Sequence, residues 1–413
     1  MKKCIATCML LIIAVLAQSQ VYTLHGKIAD KETGNPIPGA SVFLSNTSIG
    51  TAANEKGIFS LHNVPGGKYD LVVSSLGYET YVETINPAKL TDELVITLKA
   101  KANQLADVVI GTFEKNGWAT WGKTFTEDFI GTSLSAADCQ IKNYDIIKFR
   151  YSNKKRHLEA FADEPLVIEN KNLGYTIRYK LEMFAHDFAN STITYYGFPL
   201  FEQMSGNFRR QKKWQENRKE AYFGSVMHFM RCLYVNKLKE NGYEIKKMEK
   251  IENVEKKRVQ KLYKYLAGAD GNVNFEKTLP KDSLAYYTKV LKQSDATNIL
   301  HNELLPGDSV AYAADSVTAV FSFTDYLQIT YTHKKTPAQY SRATLSGPSL
   351  GGDANINSTL DAENITSFAT LVNGRPLFVS YNGAYYAPQD MLTLGYWGYS
   401  EKLSELLPFD YWP

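Results

Sequence analysis

Cysteine is scarce in this chain, with four in 413 residues, and Cys4 and Cys8 fall within the first nineteen residues. Disulfide scaffolds are dense in cysteine, so hydrophobic cores must supply the stability. Cys139 and Cys232 remain to pair or stay apart, and the sequence leaves that open. Histidine is also sparse: His25, His62, His157, His186, His228, His301 and His333 include no H-x-x-E, no H-E-x-x-H and no close pair that would present two zinc ligands from one element. No metal and no cofactor is expected. After the leader no run reaches the ~18 apolar residues of a membrane helix, so the mature chain has no expected transmembrane helix. A formal charge of only +3 and the lack of a recognised reading motif argue against nucleic acid as a partner.

What is present begins with a leader. Met1-Lys2-Lys3 precedes an apolar run from Ile5 to Leu16 and the small-residue pattern Ala17-Gln18-Ser19, so residues 1–19 read as a signal peptide cleaved before Gln20. The expectation is an exported protein, periplasmic or associated with the outer membrane or cell surface. Its charge is unevenly spread: residues 205–262 hold sixteen Lys and Arg against seven Asp and Glu, and residues 345–413 hold two against seven. A basic middle and an acidic tail suit different partners or each other.

Between Gly26 and Tyr78, short apolar runs alternate with backbone punctuation. Pro36 and Pro38 fix φ, whereas Gly34, Gly39, Gly57, Gly66, Gly67 and Gly77 supply turns, which excludes helices. With further strands at Thr80 to Ile85 and Glu93 to Leu98, about seven strands are expected in an antiparallel sandwich over residues 20–100. The residues Gly26-Lys-Ile-Ala-Asp30, Gly34-Asn-Pro-Ile-Pro-Gly39-Ala-Ser-Val42, Asn54-Glu-Lys-Gly57-Ile-Phe59-Ser-Leu61 and Val64-Pro-Gly-Gly-Lys-Tyr69-Asp-Leu71, closed by Gly77-Tyr78, resemble the carboxypeptidase-regulatory-like family. That resemblance covers about residues 21–98 and implies a transthyretin-like sandwich of immunoglobulin-like build. It is also similar to the N-terminal extension of TonB-dependent transporters of the Bacteroidota cell envelope, where the domain is an accessory. The rest of the chain resembles uncharacterised envelope proteins, which implies no activity.

Residues 101–122 read as a polar linker and residues 123–413 as a larger β-rich α+β domain, giving a fold that is mainly β with some α. From Tyr144 to Leu200 the hydrophobic period is two. Over residues 210–240 it switches to a helical period through Trp214, Ala221, Phe229, Leu233 and Leu238, ending at Asn241-Gly242. That amphipathic helix would carry Arg210, Lys213, Arg218, Lys219 and Arg231 as a basic surface for phosphates or acidic polysaccharide at a membrane surface, although the solvated face of an ordinary amphipathic helix is the simpler explanation. Aromatic clusters nominate Tyr195, Tyr196, Trp214, Tyr396 and Trp397 as a ligand platform if exposed, or as core if buried.

Catalytic constellations are weak. Gly347-Pro-Ser349-Leu-Gly351 has the spacing of a nucleophile elbow, but loop residues flank it and no histidine follows. The oxygen-rich stretch from Asp353 to Asn364 departs from a calcium loop at Ser358 and Asn364. Glu159, Asp163, Glu164, Glu182 and Asp187 lie among strands where an acid and base pair would serve glycan cleavage. The reading that results is a non-enzymatic envelope protein whose sandwich docks on an outer-membrane or periplasmic protein or on a surface polysaccharide. The alternative is an envelope glycan or peptide hydrolase with a carboxylate site in the C-terminal domain.

Overall fold

The computed structural model of the protein describes residues 21–90, 92–101, 113–267, 280–340 and 363–413. The expected leader, residues 102–112 of the expected linker, the Gly347 to Gly351 serine motif and the oxygen-rich stretch from Asp353 to Asp361 lie outside them.

Seven strands build the N-terminal sandwich: β1 (Val21–Asp30), β2 (Ser41–Leu44), β3 (Gly50–Ala52), β4 (Ile58–Pro65), β5 (Tyr69–Ser74), β6 (Tyr81–Ile85) and β7 (Leu94–Leu98). They form two sheets, ordered β4-β1-β7 and β3-β2-β5-β6. Leu24, Ile28, Phe59, Leu61 and Ile96 meet Val42, Leu44, Leu71 and Val73 between them. The turn into β4 needs glycine: Gly57 has φ +73, and a Cβ there would lie 2.4 Å from the Ile28 carbonyl oxygen. The expected all-antiparallel arrangement is corrected at one edge, because β7 runs parallel to β1. The chain leaves β6 in one sheet, passes through a turn at Pro87–Lys89 and enters the other sheet, and such a crossover sets no antiparallel constraint.

The helix α1 (Gly117–Phe129) begins inside the stretch read as linker, because Trp118, Phe125 and Phe129 supply an apolar face that packs on the following sheet. That sheet joins β8 (Cys139–Ile141), β9 (Lys148–Ser152), β10 (His157–Phe161), β11 (Leu166–Asn170), β12 (Tyr175–Asp187) and β13 (Thr192–Gln203). The expected single helix over 210–240 is two, α2 (Phe208–Tyr222) and α3 (Val226–Tyr234). Gly224, at φ +88, breaks the helix, and the Ser225 hydroxyl restarts it by accepting from the His228 backbone N–H at 3.1 Å.

Next come β14 (Tyr243–Glu252), α4 (Val254–Ala267), α5 (Lys281–Leu291), β15 (Ala296–Leu304), β16 (Ala311–Ala313), β17 (Ala319–Phe321), β18 (Tyr326–Lys335), β19 (Asn364–Leu371), β20 (Leu377–Val379), β21 (Tyr385–Tyr386), β22 (Met391–Gly395) and α6 (Tyr396–Ser400). They make one sheet ordered β15-β14-β18-β19-β22 and a smaller one ordered β16-β17-β20-β21. Both sheets share a core with α3 and α6, whereas Leu403 and Leu407 beyond α6 return to the core of α1 and β8–β13. Mainly β with some α therefore holds for the described residues. Cys139 and Cys232 are free thiols.

Candidate functional site

The two outer faces of the sandwich differ. In β2 and β5 the triplets Val42-Phe43-Leu44 and Leu71-Val72-Val73 are buried without alternation, which requires cover on both sides. The inner cover is the sandwich core, and the outer cover is β13, whose Phe198 and Leu200 pack on Phe43 and Val72. Backbone bonds reinforce this seam: Asn46 N donates to Pro199 O at 2.8 Å and Phe201 N to Thr47 O at 3.0 Å.

The C-terminal tail straps the same loop. Phe409 N donates to Asn46 O at 2.6 Å, and the Asp410 carboxylate accepts from the Ser48 backbone N–H at 3.0 Å and from its hydroxyl. Arg231 of α3 holds the strap from the other side. Its Nη2 donates to Phe409 O at 3.1 Å, its Nε donates to Asn382 O at 2.9 Å, and the guanidinium lies 3.9 Å from the Trp412 ring centroid.

The opposite sheet, β4-β1-β7, is open. Lys27 lies in register between Ile58 and Val95, which are 42% and 77% exposed, and Val21 further along β1 is 60% exposed. On the same outward face His25 contacts the Ser60 hydroxyl through Nδ1 at 3.1 Å. Among the described strands β7 pairs only with β1, so it forms a sheet edge.

Residues 24–110 match the CarboxypepD_reg-like domain family. This is the open sandwich and the segment that follows it. TonB-dependent receptor P39 of Formosa agariphila is 40% identical over 95 residues, covering 23% of this chain and 8% of the receptor. The chain thus spans under a tenth of the length of that relative. A crystal structure described as a membrane-associated protein of unknown function from Bacteroides fragilis aligns over 91% of this chain and 97% of that one, at 11% identity and a TM-score of 0.16. At that score the likeness carries no argument.

Outside the CarboxypepD_reg-like domain, the residues nominated from sequence disperse. Trp214, Tyr396 and Trp397 are buried, the Trp214 indole N–H donating to Lys171 O at 2.9 Å, so they are core rather than platform. Tyr195 is half-buried edge-on to Phe129, and only Tyr196 leaves its ring substantially exposed. Arg210, Lys213 and Lys219 are exposed as expected of a basic surface, but Arg218 and Arg231 are buried. The reason is local: Arg218 lies on the inward stripe with Trp214 and Tyr222, where it donates to Leu173 O at 2.7 Å and stacks on Tyr175. The nominated carboxylates do not face one another. Glu159 pairs with Arg150, Asp163 with Lys148, Glu182 accepts from Thr80, Asp187 caps a turn at Ala189 and Asn190, and Glu164 is exposed. Among the described residues no three metal-ligating side chains converge.

Sequence reading missed the buried junction between α2 and α3. The Glu401 carboxylate accepts from Val226 N at 2.9 Å, and the Trp397 indole N–H donates to Gly224 O at 2.8 Å. His228 Nδ1 lies within hydrogen-bond distance of the Tyr243 hydroxyl at 3.0 Å, and its ring lies among those of Tyr222, Phe223 and Tyr331. Burial pushes Glu401 up to about 7, with the neighbouring Glu405 adding to the rise. Burial also pushes His228 down to about 4, with Arg231 and His333 in the same direction. No spacing motif marks these residues, because the Gly224–His228 segment and the Trp397–Glu401 segment lie far apart in sequence and are joined only through packing and the bonds at Gly224 and Val226.

Their effects on stability have opposite signs. Neutral His228 favours the fold above its ordinary 6.5, and that contribution is lost as pH falls towards 4. Protonated Glu401 favours the fold below its ordinary 4.5, and that contribution is lost as pH rises to 7. Each is worth about 3 kcal/mol across its window by the free energy of a pKa shift. Relative to the parent, Glu401→Gln should therefore gain stability between pH 4.5 and 7, and His228→Gln should gain it between 6.5 and 4. Denaturant melts across that range check this, and unchanged pH profiles would refute it.

Proposed function

We propose that this is a non-enzymatic cell-envelope protein that docks on an outer-membrane or periplasmic protein through the open sheet of its CarboxypepD_reg-like domain. The observation that carries the reading is the asymmetry of the sandwich. One sheet is covered by the chain's own β13, while the other presents Val21, Ile58 and Val95 around Lys27 beside an edge strand. Exposed aliphatic side chains on a flat sheet beside unpaired edge backbone suit a protein partner that adds a strand or covers the face. The leader at residues 1–19 and the same domain in a TonB-dependent receptor support the envelope as the location. Among the described residues no helix is long and apolar enough to cross a membrane.

The test is crosslinking and co-purification from intact envelopes with the full chain and with the double variant Ile58→Glu, Val95→Glu. Point variants are preferable to removing the sandwich, which would uncover Phe198 and Leu200. A specific partner should be captured by the parent and by a control substituted at the exposed Tyr265, and lost by the double variant. Equal capture by all three, or none by the parent, would overturn the reading.

A further inference from the structure

We propose that the outward face of α2 is a contact surface for an anionic lipid bilayer. The inward stripe of this helix is Trp214, Arg218 and Tyr222, spaced four residues apart. Helical geometry then places Arg209, Lys212 and Lys213 on the far side with Glu216 and the Lys334-paired Glu220, and Phe208, Arg210 and Lys219 on the flanks beside them. All eight are exposed. Four cations therefore fall within the six residues from Phe208 to Lys213, and no carboxylate among the described residues pairs with any of them.

Charge alone would suit any polyanion, and Phe208 decides between classes. Phe208 is 81% exposed at the start of the basic run. A free phosphate or an acidic polysaccharide satisfies the cations and leaves that ring in water. A bilayer interface satisfies both, because headgroup phosphates meet the guanidinium and ammonium groups while the ring enters the acyl boundary. Arg and Lys also suit this position because their long stems reach the headgroups while the helix lies alongside. The buried Trp214 and Arg218, bonded to carbonyls of the chain, fix the helix so that this face points away from the protein.

The experiment is co-sedimentation of the full chain with phosphatidylglycerol vesicles and with phosphatidylcholine vesicles. The variants are Phe208→Ala and the quadruple Arg209→Gln, Arg210→Gln, Lys212→Gln, Lys213→Gln, all at exposed positions, with folding checked by thermal melts. The parent should bind the anionic vesicles and release them as salt is raised. Each cation contributes roughly fivefold near an anionic surface, so the quadruple variant should bind at least a hundredfold more weakly. Phe208→Ala should weaken binding about tenfold. Equal binding to both vesicle types, no binding by the parent, or unchanged binding by either variant would overturn the proposal. So would competition by inorganic phosphate or a soluble acidic polysaccharide at matching charge concentration, because that would assign the cations to a free anion. The Ile58 and Val95 substitutions lie on another domain and should leave vesicle binding unchanged, which separates this outcome from the docking test.

Discussion

Phe198→Ala is expected to cost about 3–5 kcal/mol, as large-to-small changes of a buried ring do, and to loosen the sandwich from the rest of the chain. Phe198 is 4% exposed, and its neighbours Phe43 and Val72 belong to the sandwich, so the void opens in the seam rather than within one core. Three results should agree. Denaturant melts should lose stability, proteolysis near the segment after β7 should accelerate, and a double-mutant cycle with Val72→Ala should give a coupling of about 0.5–3 kcal/mol. Additive losses would show that Phe198 stabilises only β13, and the sandwich would then be a tethered module.

Trp397→Ala should be about as damaging, again about 3–5 kcal/mol. Trp397 is 1% exposed, packs edge-on against Phe229 at 5.3 Å and ties α6 to the helix junction by its bond to Gly224 O. Trp397→Phe separates the two contributions. It keeps most of the apolar volume but leaves a carbonyl unpaired in the core, a loss of about 1–3 kcal/mol. If the phenylalanine variant matched the parent, the junction would be held by packing alone, and the hydrogen bond would be dispensable. If it matched the alanine variant, the bond would be the dominant tie between the two helices and the C-terminal segment.

Both predictions concern contacts that the local pattern only half announced. The triplets at 42–44 and 71–73 are continuous apolar runs in a domain whose strands β1 and β7 alternate, and such runs belong to strands buried on both faces. The cover was thus implied, but its source was not, because nothing near Phe198 in sequence pairs it with Phe43. The helix over 210–240 illustrates the converse. Its apolar period was visible, yet Gly224 and Ser225 end one helix and cap another inside it, and that break places Arg231 beneath Trp412 rather than in solvent.

The sequence by itself determined the sandwich, because turn glycines, prolines and alternating side chains act over a few residues and tolerate no other local structure. It also determined that the chain would be mainly β and that α2 would present cations. Only the tertiary structure decided which sheet of the sandwich stays open, which aromatics are core and where Glu401 meets the start of α3. Those outcomes depend on long-range packing, in which a residue's burial is fixed by partners from 150 or more positions away, as Arg231 is by Asn382 and Phe409. Burial then sets the chemistry, since the same guanidinium or carboxylate is a surface charge in water and a structural tie once desolvated.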